Sequence, residues 1–170
     1  MRGVTAVAIV AMWGLAGGTV AGCADAVSGV TSAVIDKIFE PGDTGIKAVI
    51  TTSAELNPDY RGRPSPIVIR TYQLRSSTAF MNADFFALYD NEAGELGEEL
   101  EFREELELEP GQSLDYERVM TEDARFFGVV AAFREYETAE WRAVFEPRPE
   151  KNNKITIELD RLAVRIVEPD

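Results

Sequence analysis

Histidine is absent from the 170-residue chain, and cysteine occurs once, at Cys23. Without imidazole, Ser-His and Cys-His nucleophilic machinery cannot be assembled, and thiol or imidazole metal sites are excluded. One cysteine also rules out an internal disulfide. No GxGxxG, P-loop or GxSxG motif occurs. The 30 acidic residues leave a paired-carboxylate hydrolase formally open, but no pair stands out. The expectation is a protein without catalysis, metal or cofactor. Basic residues are scarce too, 17 against 30 acidic, for a formal net charge of −13. Such a surface repels phosphate backbones, which argues against nucleic acid, and it equally repels anionic lipid. Membrane attachment would therefore need a hydrophobic anchor.

The start of the chain supplies a route to one. Arg2 is the only charge before Asp25, and the run from Val4 to Val20 is apolar or small, leading to Ala21 and Gly22. Residues 1–22 read as a signal peptide. The competing reading is an uncleaved transmembrane helix, since the run is near the lower length limit for spanning a bilayer. Val20-Ala21-Gly22-Cys23 resembles a bacterial lipobox, which implies a diacylglyceryl group on the Cys23 thiol. The alternative is a free cysteine after an ordinary signal peptide, and an exposed unpaired thiol is a liability in an exported protein. Two acyl chains, at about 0.8 kcal/mol per buried methylene, suffice for stable anchoring. By resemblance to lipoprotein sorting rules, Ala24 after the cysteine points to the outer membrane.

Residues 23–44 form the expected tether. Within it Val27, Val30, Val34, Ile35 and Ile38 recur at helical spacing, compatible with a short amphipathic helix or with a flexible linker. Residues 45–170 form the expected folded domain. Period-two alternation from Ile46, and the β-branched run from Ile67 to Arg75, read as strands. Ser76 and Ser77 are candidate caps for a helix with Met81, Phe85, Leu88 and Tyr89 on one stripe, broken at 91–94. From Phe102 to Leu108 apolar residues alternate with charges, whose carboxylates are expected to radiate into water. Phe126 to Phe133 is apolar on both parities and reads as a central strand buried on both faces, followed by a short strand at Trp141 to Phe145. Between Ile155 and Ile166 the apolar parity slips at Asp160-Arg161, which reads as a bulge or bend in one long strand. The pattern is mainly β: a sandwich of about seven strands with a short helical insertion. Ile50, Ile69, Phe133 and Ile157 are expected in one interior.

The connection between the first two strands is long. It reads Asn57-Pro58-Asp59-Tyr60-Arg61-Gly62-Arg63-Pro64-Ser65-Pro66. Its three prolines restrict it before binding, Tyr60 offers aromatic area, and Arg61 and Arg63 put positive charge on an acidic protein. A stiff hairpin connection whose arginines meet neighbouring carboxylates fits the residues equally well. This loop and its continuation Ile67-Val68-Ile69-Arg70-Thr71-Tyr72-Gln73-Leu74 resemble the TssJ (SciN-like) outer-membrane lipoproteins of type VI secretion. So do Ala79-Phe80 with Asn82 through Asp90, and Gly128 through Arg134 with Trp141-Arg142. The resemblance runs from about Ile46 to the C-terminus. It implies a transthyretin-like β-sandwich held by its lipid at the periplasmic face of the outer membrane. It further implies binding to the periplasmic region of the inner-membrane TssM/IcmF-like protein, and through it to TssL, by residues 57–66. The alternative is an unrelated sandwich lipoprotein that binds a sugar or peptide, for which a concave face lined by aromatics is expected.

Overall fold

Alternation of apolar and polar residues builds two sheets that share one interior. The structure, a computed structural model, describes residues 39–169. The expected signal peptide, Cys23 and the amphipathic stretch up to Ile38 lie outside them. One sheet has the order β4-β1-β7-β8 and the other β3-β2-β5-β6. The strands are β1 (Gly45–Thr52), β2 (Ile67–Leu74), β3 (Leu100–Leu108), β4 (Ser113–Val119), β5 (Phe126–Ala131), β6 (Arg142–Phe145), β7 (Asn152–Leu159) and β8 (Val164–Val167). The helical insertion between β2 and β3 consists of α1 (Thr78–Asn82) and α2 (Phe85–Leu96). The described residues thus form a β-sandwich with eight strands. Among the described strands every ladder is antiparallel except β1 with β7.

Between the sheets lie Ile46 and Ile50 of β1, Ile155 and Ile157 of β7, Ile67 and Ile69 of β2, and Phe127 and Val129 of β5, with Phe133 at one end. The four residues expected in one interior are all there. Two polar side chains on the inner face of β2 are satisfied in place. Thr71 Oγ1 lies 3.1 Å from Tyr116 Oη. Gln73 donates to the Val119 carbonyl at 3.0 Å and accepts from Thr121 N–H at 2.6 Å, tying the sheets together. Two-sided burial of β5 also holds. Its other face, with Tyr72 and Leu74 of β2, is covered by Phe80, Leu88 and Leu96 of the insertion. Gly128 is required there, because a Cβ would fall 2.8 Å from the Phe80 ring.

Several expectations need correction. The expected single helix is two, divided at Ala83-Asp84, where Asp84 caps α2 by accepting from Ala87 N–H at 2.9 Å. Met81 is consequently exposed and Phe80 takes the buried position. Instead of stopping at 91–94, the helix kinks at Asn91, whose φ is −140°, and continues to Leu96. The 155–166 segment is a hairpin rather than one bent strand. Antiparallel register pairs Ile157 with Ile166 and Leu159 with Val164, so inward odd positions face inward even ones and the parity slip results. Four residues suffice for the turn, closed by Asp160 N–H to the Ala163 carbonyl at 2.8 Å. Finally, the outer carboxylates of β3 do not all radiate into water. Glu105 and Glu92 converge on Arg70 and Arg103, with Arg70 Nε at 2.8 Å from Glu105 and Arg103 Nε at 2.6 Å from Glu92. Arg70 also stacks on Tyr89 at 4.0 Å, so these charges clamp α2 to the sheet.

Ile50→Ala and Ile157→Ala, both fully buried, are expected to lose about 2–5 kcal/mol each. Denaturant melts of the mature protein check this. Midpoints unchanged in both variants would contradict the assigned interior.

Candidate functional site

The long connection from β1 to β2 begins where β1 runs out of ladder. Thr52 N–H still bonds the Gln112 carbonyl at 2.9 Å, and Leu56 N–H then turns back onto the Ser53 carbonyl at 3.2 Å. Leu56 is fully buried and roots the loop in the core.

Asn57 fixes both arms of the loop. Its φ of 46° is left-handed, a region that asparagine tolerates better than most residues, and it is only 3 % exposed. Its side chain donates to the Pro66 carbonyl at 2.8 Å and accepts from Arg134 N–H at 2.9 Å. Its backbone N–H donates to the Arg161 carbonyl at 3.1 Å, and its carbonyl accepts from Ser65 Oγ at 2.7 Å. One residue thus joins the loop to the β5–β6 connection and the β7–β8 turn. Pro58 is buried beside it.

Beyond this root the tip closes on Asp59. Asp59 N–H bonds the Arg63 carbonyl and Gly62 N–H bonds the Asp59 carbonyl, each at 2.8 Å. Gly62, at φ 77°, supplies the left-handed position. The Asp59 carboxylate accepts from Arg61 N–H at 2.8 Å, Arg63 N–H at 3.0 Å and Arg63 Nε at 2.8 Å. The Arg63 backbone N–H first, then its side chain, holds the Asp59 carboxyl below the ordinary aspartate range. Tyr60 projects from this frame with 85 % of its surface exposed, and the Arg61 guanidinium lies 5.1 Å from its ring centroid.

The ten expected contact residues therefore divide by geometry. Asn57 and Pro58 are foundation, Asp59 and Ser65 are half-buried bracing, and Tyr60, Arg61, Gly62, Arg63, Pro64 and Pro66 are exposed. Arg63 meets the carboxylate of its own loop, Asp59, at 2.7 Å. The sequence reading missed the pinning role of Asn57 and the part of Arg134, whose Nε also donates to Ser65 Oγ at 3.2 Å. The Asn-Pro dipeptide was a turn signal, but the partners lie too far along the chain for local grammar to show them. As for the sugar- or peptide-binding alternative, Phe85 contacts Phe86, Tyr89, Tyr136 and Trp141 at centroid distances of 5.1–5.4 Å, so these rings pack on one another.

Substitution and acid should each act on this loop in a defined way. Asn57→Ala leaves the Arg134 N–H and the Pro66 carbonyl without their partner, at about 1–3 kcal/mol for each group that stays buried. Thermal melts should show that loss, while Tyr60→Ala leaves the melting temperature unchanged. A carboxyl whose folded pKa is depressed stabilises the turn above the unfolded value, about 3.9, and that contribution is lost as pH falls through the lower folded pKa. Amide shifts of Arg61 and Arg63 should accordingly stay constant from neutral pH to about pH 4 and move only below it. A midpoint at or above the ordinary aspartate value would contradict the bracing.

Known proteins share this architecture. TssJ1, the type VI secretion lipoprotein of Pseudomonas aeruginosa, is 34 % identical with a TM-score of 0.73, over 75 % of this chain and 98 % of its own. Serratia marcescens Lip, a membrane-bound component of the type VI secretion system, is 27 % identical with a TM-score of 0.69, over 75 % and 99 %. A structure described as the C-terminal domain of the type VI protein TssM from EAEC matches at 24 % identity and a TM-score of 0.61, over 74 % and 98 %, which shows the fold alone. No curated protein sequence matches significantly. The model of the T6SS-SciN family, described as type VI secretion lipoprotein (VasD, EvfM, TssJ), matches residues 44–162, well over half of the chain. The protein therefore belongs to the T6SS-SciN family of type VI secretion lipoproteins.

Proposed function

We propose that the protein is lipidated at Cys23 and anchors the periplasmic region of a TssM/IcmF-like inner-membrane protein, and through it TssL, to the outer membrane. It does so as a passive scaffold, with residues 57–66 as the main contact. The observation that carries this reading is the braced loop tip with Tyr60 almost wholly in solvent. A side chain of that size, left outside by a loop this ordered, fits an anchor for another protein's pocket. Membership of a family of type VI secretion lipoproteins supports placing the partner within that secretion apparatus.

The topology supports the orientation. The chain enters β1 at Gly45 and leaves at Thr52, after a strand of eight residues. At about 3.3 Å per residue the loop root lies roughly 25 Å from the end where the tether joins. The junction with the tether and the root of the contact loop thus lie at opposite ends of the sandwich. The role needs no chemistry, and the family is a structural component of the secretion apparatus.

Tyr60→Ala and Arg61→Ala are expected to weaken capture of the purified TssM periplasmic region by about 2 kcal/mol or more at a hot spot, roughly thirtyfold. Arg61→Ala should also flatten the salt dependence of association, since exposed charges act mainly on encounter. Titration calorimetry and stopped-flow at two ionic strengths measure both effects. If Glu105→Lys abolishes capture while the Tyr60 and Arg61 variants bind normally, the interface lies on the sheet and not the loop. For the anchor, Cys23→Ser should abolish palmitate labelling and leave unprocessed precursor. Normal outer-membrane fractionation of that variant would refute the lipid assignment.

A further inference from the structure

The two sheets differ in what covers them. Among the described residues, α1 and α2 pack on the outer face of β3-β2-β5-β6, while no helix packs on the outer face of β4-β1-β7-β8. That second face forms an open trough of roughly 490 Å³. Val49 and Thr156 sit side by side on its floor, and Lys47, Lys154, Asp115 and Glu117 line its sides. Val49 is 40 % exposed, and Val167 of β8, paired with Thr156, adds a second exposed aliphatic group at 41 %.

One end of the trough already holds a piece of the chain. The Phe39 ring rests on Gly45, where a Cβ would fall 2.4 Å from it, and Lys47 Nζ lies 5.0 Å from the ring centroid. Asp43 N–H to the Glu40 carbonyl at 3.0 Å, and Glu40 N–H to Asp43 Oδ2 at 2.9 Å, close the turn that folds Phe39 back over β1. Phe39, the first described residue, therefore lies on the sheet surface at the margin of the trough. Sixteen residues separate that point from the lipid, Cys23 to Ile38, and they carry the apolar series Val27, Val30, Val34, Ile35 and Ile38.

We propose that residues 26–38 dock along this trough, with their apolar series against Val49, Thr156 and Val167. The mixed signs of Lys47, Lys154, Asp115 and Glu117 suit the Asp36-Lys37 pair of the segment. Docking also sets how far the domain stands from the membrane. Sixteen free residues reach about 55 Å when extended, whereas the three left free by docking reach about 10 Å. The tether then fixes the sandwich's orientation instead of merely retaining it. This inference is independent of the partner's identity.

The test is proximity cross-linking in the mature lipidated chain, whose one natural cysteine carries the lipid. Ile35→Cys combined with Val49→Cys should form an intramolecular disulfide about tenfold faster than Ile35→Cys combined with Phe86→Cys, because a docked segment raises the effective concentration. Phe86 is the comparison because it is exposed on the helical cover of the other sheet. Equal rates, or a disulfide that joins two chains, would overturn the proposal; the latter would make a second copy the occupant. Val49→Gln, which keeps the position uncharged opposite Asp115 of the neighbouring strand, should speed tryptic cleavage after Lys37 by a similar factor and leave TssM capture intact. Unchanged cleavage would overturn the proposal as well, and a loss of capture alone would bear on the partner and not on the tether.

Discussion

The constraint on which the fold depends is that the β3-β2-β5-β6 sheet is apolar on both faces. Phe127 and Val129 of β5 point into the sandwich, while Val130, with Tyr72 and Leu74 of β2, points the other way. Leaving the second face in water would forfeit about 1.5–3 kcal/mol for each large side chain. The insertion after β2 is the local answer, since its helices start where β2 ends and return the chain to β3 beside it. Phe80 can approach because position 128 has no side chain. At the sheet's open edge the cover is closed by charge. Glu92 of α2 is shared by Arg70 and Arg103, and Tyr72 Oη donates to it at 3.1 Å. Burial holds the Tyr72 phenol neutral well above its ordinary range, with Glu92 adding to the shift, so it stays a donor at any physiological pH.

Much of this was legible in the chain. β1, β2 and β5 have enough apolar residues, in an unbroken parity, that no other packing suits them. β4 was missed for the opposite reason. It is an edge strand in which only Leu114 and Tyr116 mark the inward parity, and Asp115, Glu117 and Arg118 dominate its text. β8 was merged with β7 because a hairpin with an even number of turn residues and a bend in one strand both shift the apolar parity. Pairing, which is not a local property, decides between them. The same limit applied at the loop. Its exposed tip and its prolines could be read directly, but the Asn57 anchor depends on Arg134 and Arg161, brought to it only by the closed sandwich.

The loop's energetics derive from that anchor. Association costs conformational entropy for every residue that must be ordered at the interface. Here the ordering is completed during folding, by Asn57 at the root and Asp59 at the tip, so a complex formed through the proposed contact would not bear that cost. Charge is divided in the same way. Arg63 is largely neutralised by Asp59, whereas Arg61 lies over Tyr60 and carries the tip's net positive charge. On a chain of net charge −13 that is a local reversal of sign, placed beside the one almost fully exposed aromatic ring among the described residues. An acidic partner surface would be repelled by the body and drawn to the tip, which orients encounter before any contact forms. On the proposed contact, the sandwich would contribute to specificity from a distance: its acidic faces disfavour other approaches, and its rigid root keeps the favoured one in place.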